Sequence, residues 1–318
     1  MSTQNNTLLP TPPFHTVSNI NNLRDAALFP LTTSTGPLKS SILFRSADVS
    51  KLDEQGWSAL SSLNITHVFD LRSAPEVGFT DASTTKPAWV SAMANAGIER
   101  TWVPVFTEQD YSPEGIARRY VKYMDESVSG FVSAYRDILA NGGAAYLPIF
   151  RYLAQNPGKG VLVHCTAGKD RTGIFFGVLF AFLGVDTQDI AAEYNLTELG
   201  LQSVREEVVT RLLKSPAFAN YMKAKETGQE LSAEEIGKLI EDEKSGKSAE
   251  VEGDVSEETR RKGREAALRM IGARKETMVA ALEMLDEEFG GAERYMREVC
   301  GVSAEEMESL KRNLVGGK

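Results

Sequence analysis

The sequence predicts an α/β fold in which a mainly parallel sheet is covered by helices. Four short runs rich in β-branched and aromatic residues, at 42–45, 67–72, 101–106 and 160–165, alternate with stretches of helical periodicity. Strand, helix, strand in that order requires crossover connections, and these make neighbouring strands parallel. The composition is globular, 318 residues with 42% apolar and 25% charged, so collagen-like, disulfide-scaffold and wholly disordered classes are excluded. At roughly 100–200 residues per domain, the length allows one large domain or two small ones.

The elements follow in order. ILFR (42–45) is the first strand. A helix comes next, with Leu52, Trp57, Leu60 and Leu63 near helical spacing, and ends at Asn64. HVFDLR (67–72) is the second strand, followed by Pro75, and TWVPVF (101–106) the third. GVLVHC (160–165) is the clearest strand of the four. Between the last two, a helical block runs from 113 to 139, stops at Asn141-Gly142-Gly143 and restarts until Asn156-Pro157-Gly158. Everything after the last strand reads as helix. IFFGVLFAFLGV, Ile174 to Val185, is well short of the about 18 apolar residues of a bilayer span and is expected as a buried helix. The stretch 223–264 shifts to Glu, Lys, Ser and Gly, which predicts a solvated or partly disordered surface insertion, with a regulatory segment as the alternative. Helical periodicity then returns: Met278, Leu282 and Leu285 share a face, Gly290-Gly291 break it, and Tyr295, Met296 and Val299 resume it. Ser303 with Glu306 reads as a capping box, and Cys300 as a small core residue.

Charge and cysteine usage narrow the function classes. Lys+Arg 35 against Asp+Glu 44 leaves −9, an acidic surface that argues against nucleic-acid binding but permits a local anion site. Two cysteines, Cys165 and Cys300, are too few for a secreted disulfide framework, and free thiols fit a reducing compartment. The amino-terminal MSTQNNTLLPTPPFHT has no basic stretch leading into an apolar core, so no signal peptide or stable membrane insertion is expected, and a cytoplasmic location is. His15 and His67 are isolated and no cluster has metal-ligand spacing, so neither metal nor cofactor is expected.

One segment carries chemistry, the run from Gly160 to Gly173. Cys165 ends a buried strand, and after five intervening residues Arg171 opens a helix pattern. Successive backbone N–H groups of such a loop curl into a phosphate-sized anion cradle at a helix amino terminus. Thr166, Ala167, Gly168 and Lys169, with Arg171 and Thr172, form the expected phosphate-binding set. Arg171 offers a planar fork to two phosphate oxygens, and Cys165 at the centre is the expected nucleophile. Gly168 permits a positive φ, the Thr172 hydroxyl can donate to the sulfur, and His164 is expected to hold the loop by hydrogen bonds. The plainer reading is a buried structural cysteine in a strand-to-helix turn.

HCTAGKDRTG (164–173) resembles the signature loop of cysteine-dependent phosphatases of the protein-tyrosine phosphatase superfamily. It is most similar to the tyrosine/serine phosphatase group of bacteria and fungi. The resemblance extends to Asn22-Leu23-Arg24-Asp25, Phe44-Arg45-Ser46, Asp70-Leu71-Arg72-Ser73 and the stretch from Phe289-Gly290-Gly291 through Tyr295 to Gly301. It thus covers most of the chain, leaving the charged insertion unmatched. The double glycine that this group has after the Arg-Asp pair is Ala26-Ala27 here. The resemblance implies a single phosphatase domain over 1–318, with a four-stranded parallel core and extra helices able to lid the site. It also implies phosphotyrosine, phosphoserine and phosphoinositide activities, and hence a phosphorylated protein or a phosphoinositide as substrate.

The departing oxygen needs a proton, usually from a carboxylic acid. Many tyrosine phosphatases use an aspartate on a Trp-Pro-Asp loop, a tripeptide absent from this sequence. Trp102-Val103-Pro104 is near in spelling, and Asp110 follows it. Asp170 is favoured as the acid, since myotubularin-like lipid phosphatases carry an aspartate at that place; Asp110 and Asp70 are the alternatives. Asp170 could otherwise simply stabilise the helix start, and for Asp70 ion pairing that pins the end of its strand is the preferred reading. Lys169 either meets a second phosphate on an inositol ring or raises the local potential. Gly168-Lys169 is not a nucleotide loop, because Asp170 replaces the needed Ser/Thr and Val163 the leading glycine. The function expected is therefore metal-independent phosphomonoester hydrolysis through a phosphocysteine intermediate. A catalytically silent phospho-binding module is the alternative from another class, and sulfur or arsenate chemistry at the thiolate is a third.

Overall fold

Among the described residues five strands form one sheet in the order β1-β2-β5-β3-β4: β1 (Arg24–Asp25), β2 (Leu43–Ser46), β3 (Ile65–Asp70), β4 (Glu99–Trp102) and β5 (Gly160–His164). The computed structural model describes residues 9–78, 87–107, 110, 112–229, 231–245 and 256–317. β2, β5, β3 and β4 are mutually parallel, and β1 pairs antiparallel on the edge of β2. The sheet is thus α/β and mainly parallel, as the sequence predicts, with one more strand than the four expected. A two-residue edge strand is too short to leave a period of its own. β3 lies two residues earlier than its predicted run. β4 ends at Trp102 because Pro104 has no N–H for the ladder, although Val103 and Val105 on either side still donate to the carbonyls of Asp70 and Leu71.

The helices are α1 (Glu54–Ser62), α2 (Ala74–Val77), α3 (Ala88–Asn95), α4 (Pro113–Met124), α5 (Val128–Gln155), α6 (Asp170–Phe182), α7 (Thr187–Asn195) and α8 (Thr197–Gly200). They continue with α9 (Gln202–Lys214), α10 (Pro216–Glu226), α11 (Ala233–Lys244), α12 (Glu257–Ile271), α13 (Lys275–Phe289), α14 (Ala292–Arg294) and α15 (Ala304–Leu314).

Side chains alternate across the sheet. Phe44, Val68 and Leu162 face a core built with Trp57 and Leu60 of α1 and Trp89 and Met93 of α3. His67 and Phe69 turn to the other face and pack on Tyr152 of α5. The apolar run after the cysteine is α6, almost wholly buried, with Phe175 stacked on Phe150 of α5. β5, covered on both faces, is buried along its whole length.

The expected helix stop at Asn141-Gly142-Gly143 does not occur; α5 runs straight through it and through Pro148. Packing overrides propensity here. A Cβ on Gly143 would lie 2.5 Å from the Val299 carbonyl oxygen, so this glycine marks a close approach of another segment, while Leu139, Ala145, Tyr146 and Ile149 on either side are buried. The actual break falls at 125–127, where the Asp125 carboxylate accepts from the Ser127 N–H and hydroxyl.

The chain forms two compact units. One comprises Met1–Val105, Tyr135–Leu201 and Ala273–Lys318 and holds the sheet; the other comprises Phe106–Ala134 and Gln202–Gly272. The second unit is helical, with small cores around Met124, Phe218 and Met222 and around Ala117, Ile236 and Ile240. The charged stretch 223–264 belongs to it, and its described residues form the end of α10, α11 and the first half of α12. Residues 230 and 246–255 of that stretch, and 1–8 of the polar amino terminus, lie outside the described residues. Near the carboxy terminus Met278, Leu282 and Leu285 are buried, Gly290 ends α13 in the left-handed region, and Ser303 and Glu306 form the predicted capping box; Val299 is exposed. Among the described residues no helix is long and apolar enough to cross a membrane.

Candidate active site

Strand register assembles the site. Ser46 of β2 and Asp70 of β3 both lie opposite His164 of β5, so three parallel strands end level and the turns that follow them meet. The turn after β5 is the cysteine loop, which enters α6 at Asp170.

The loop's carbonyls are held from outside. The Asp48 N–H donates to the Thr166 oxygen at 3.0 Å, Asn22 Nδ2 to the oxygens of Ala167 and Gly168 at 3.1 and 3.3 Å, and Arg45 Nη2 to that of Gly168 at 2.8 Å. In a planar trans peptide the N–H points opposite to the carbonyl. The amides of Ala167, Gly168 and Lys169 are therefore aimed inward, towards the concave side at which α6 begins. Gly168 is required twice over: its φ is +64°, and a Cβ there would sit 2.0 Å from the Ser46 carbonyl oxygen.

A buried charge cluster braces this outer wall. Glu193 of α7 bridges Arg24 Nε at 2.7 Å and Arg45 Nη1 at 2.6 Å, all three residues at most 1% exposed. Burial alone would raise the Glu193 carboxyl, but Arg24 and Arg45 outweigh it and hold it below the ordinary range. Arg24 also donates to Asn22 Oδ1, which turns the Asn22 amide nitrogen towards the loop.

On the other side Arg171, in the first turn of α6, is gripped by Glu76 of α2. Nη1 lies 2.6 Å from Oε2 and Nη2 2.7 Å from Oε1, and the Thr166 hydroxyl donates to the same carboxylate. Glu76 in turn accepts from the Ser73 N–H at 3.0 Å. Cys165 is 2% exposed at the base of the loop. The Thr172 hydroxyl is buried without a hydrogen-bond partner among the described residues, the Cys165 sulfur included. Cys300, by contrast, is a buried thiol that burial pushes up to about 12, in keeping with a core role.

His164 Nδ1 lies 3.1 Å from the Cys165 carbonyl oxygen and so must donate to it, pinning the loop as expected. Asp70 is fully buried, bound by Arg72 through Nε and Nη2 at 2.9 and 2.8 Å and by Arg100 at 2.8 Å. Burial would raise its carboxyl, but His164, Arg72 and Arg100 together hold it well below the usual carboxylate range. Asp70 thus stays ionised and braces the turn.

The histidines set an acid limit on stability. Burial pushes His15, His67 and His164 below their ordinary value, against weaker pulls from Asp25, Glu99 and Asp70. The unfolded chain therefore binds more protons than the fold once pH drops to about 6.5. Their stabilising contribution is complete above that pH and is lost as pH falls towards the depressed folded values. The urea midpoint should accordingly be lower at pH 5.5 than at pH 7.5; an equal or higher midpoint would contradict buried neutral imidazoles.

The structure thus brings Cys165, Thr166, Ala167, Gly168, Lys169, Asp170, Arg171 and Thr172 into one loop and helix start. Asp170 is the first residue of α6; its Oδ1 lies 2.9 Å from the Tyr135 hydroxyl and 3.3 Å from Lys169 Nζ. The Lys169 side chain is 3% exposed. Asp110, in the second unit, accepts from the Thr107 N–H and hydroxyl at 2.8 Å and closes its own turn. Sequence reasoning missed the roles of Asn22, Arg45, Glu193, Tyr135 and above all Glu76. The spacing of Ser73 and Glu76, another capping-box pattern, could have marked Glu76, since its carboxylate does bond back to the Ser73 N–H.

Comparison with known proteins agrees in extent with this geometry. The sequence model of a tyrosine phosphatase family matches residues 15–316. The triple specificity protein phosphatase PtpB of Mycobacterium tuberculosis is 26% identical, over 93% of this chain and 96% of that protein. A tyrosine-protein phosphatase of Nostoc commune is also 26% identical, over 48% of this chain and 47% of its own length.

Proposed function

The chain belongs to the tyrosine phosphatase family, and from that premise we propose that it hydrolyses phosphomonoesters of proteins through a phosphocysteine on Cys165. The observation that carries this reading is the loop wall: the carbonyls between Cys165 and Arg171 are bound from outside, which turns the loop's amides to its inner side. The transferring phosphoryl group carries its charge on three oxygens, and preorganised N–H donors stabilise that charge without reorganising during the reaction.

Cys165 Sγ, as thiolate, attacks phosphorus while the ester oxygen departs. Arg171 and the amides of the loop hold the phosphoryl oxygens, with Glu76 fixing the plane of the guanidinium. Asp170, partly exposed at the helix start, supplies the proton to the leaving oxygen. Asp70 is unsuited to this task, being buried and held ionised. Water then attacks the phosphocysteine, and the Thr172 hydroxyl eases departure of the sulfur. A reducing compartment such as the cytoplasm suits a chemistry that needs Cys165 unoxidised.

Lys169 bears on the substrate class. Its ammonium is buried beside the Asp170 carboxylate, which favours a role inside the loop, raising the local potential, over reaching out for a second phosphate on an inositol ring. The test is the initial rate, in chelator, on a phosphotyrosine peptide, a phosphoserine peptide and mono- and bis-phosphorylated inositides. Highest kcat/KM on a phosphopeptide is expected. Highest kcat/KM on a bisphosphorylated inositide would overturn the assignment of Lys169, and no turnover on any substrate with phosphopeptide binding retained would make the protein a binding module.

A further inference from the structure

We propose that Tyr135 is a positioning residue for proton transfer: it anchors Asp170 through Oδ1, so that Oδ2 is the oxygen that carries the proton to the leaving group. This rests on the reading of Asp170 as the general acid. Tyr135, from α5, is fully buried, and its hydroxyl lies 2.9 Å from Asp170 Oδ1 and 2.6 Å from the Tyr194 hydroxyl of α7. A phenol has one proton to give. If Tyr135 gives it to the carboxyl, it must accept from Tyr194, and the three groups form a directed chain from Tyr194 through Tyr135 to Asp170. Lys169 Nζ, 3.3 Å away, faces the same oxygen, so both neighbours converge on Oδ1.

The chain acts on the transition state more than on the ground state. As the Cys165 sulfur bonds to phosphorus and the P–O ester bond breaks, the ester oxygen leaves with the Oδ2 proton and Asp170 becomes a carboxylate. The Tyr135 hydrogen bond turns charge-assisted during that change and strengthens as it proceeds. In the second step the same carboxylate takes a proton from water, whose oxygen bonds to phosphorus while the S–P bond breaks and inorganic phosphate departs. Rotation of Asp170 away from its anchored position would misplace Oδ2 in both steps, and misplacement by an ångström is costly to rate. Burial and the nearby Asp170 charge hold the Tyr194 proton firmly in place, which keeps Tyr194 a donor.

The experiment is a leaving-group series. Tyr135→Phe, Tyr194→Phe and Asp170→Asn are compared with the unaltered chain by kcat/KM on phenyl phosphate, a poor leaving group, and 4-nitrophenyl phosphate, a good one. Tyr135→Phe is expected to lose about tenfold on phenyl phosphate and no more than about twofold on 4-nitrophenyl phosphate, since a good leaving group needs little protonation. Tyr194→Phe keeps the bond to Asp170 and should show the same dependence more weakly; it carries the test if Tyr135→Phe does not fold. Equal losses on both substrates, the signature of a merely structural role, would overturn the proposal. Asp170→Asn separates the two claims. If it lacks the leaving-group dependence, the acid assignment fails; if it shows the dependence and the tyrosine variants do not, only the positioning role fails.

Discussion

Cys165→Ser is expected to abolish turnover, with a loss in kcat on the order of 10⁴-fold or more, while substrate binding is kept. A serine hydroxyl at the same place is not ionised at neutral pH, and nearby groups are already engaged: His164 Nδ1 with the Cys165 carbonyl and Asp70 with two arginines. The cradle itself does not depend on the sulfur. Asn22 and Arg45 hold the loop carbonyls, Glu76 holds Arg171, and none of these contacts passes through Cys165. Calorimetric binding of a phosphotyrosine peptide to Cys165→Ser should therefore stay within a few-fold of its affinity for the intact site, while hydrolysis disappears. Cys300→Ser is the matched control. Its thiol is buried and pushed up to about 12, so activity should be unchanged. Activity surviving in Cys165→Ser would remove the phosphocysteine, and equal losses in both variants would point to general destabilisation.

The loop was legible in the sequence because it is local: nucleophile, cradle, arginine and acid lie within eight consecutive residues, between an unbroken apolar strand and an apolar helix. β2, β3 and β5 were legible for a related reason, each holding a compact apolar run bounded by turn residues, whereas β4, Glu-Arg-Thr-Trp, shares only Thr101 and Trp102 with the predicted 101–106 run. What supports the loop was not. Glu76 and Arg171 are 95 positions apart, and Arg24 and Glu193 are 169 apart. No periodicity in one chain announces such pairs. Asn22, Arg24 and Arg45 stood inside stretches that resemble a known family, yet their work, holding carbonyls and one another, needed the strand ends to be seen level. The helix through Gly142-Gly143 went unread for a similar reason: a distant segment, Val299, decides that glycine is wanted there, and local propensity says only that glycine breaks helices.

Glu193→Ala should then be among the most destabilising single changes outside the hydrophobic core. The substitution leaves two guanidinium groups, Arg24 and Arg45, buried side by side with their shared counter-charge removed. Breaking a buried pair typically costs about 3–5 kcal/mol, because the surviving charge has neither water nor partner. Here two charges survive and repel each other. Loss of activity should follow at temperatures where the variant is still folded, since Arg45 Nη2 holds the Gly168 carbonyl at 2.8 Å and Arg24 orients Asn22 on the same loop. Urea midpoints and kcat/KM measured together would show both effects. Glu288→Ala, which breaks the bidentate but solvent-exposed pair with Arg136, is the comparison and should leave the midpoint almost unmoved. A Glu193→Ala midpoint as little moved as that would mean that the arginines find water instead, and that the outer wall of the loop is not braced by this charge cluster.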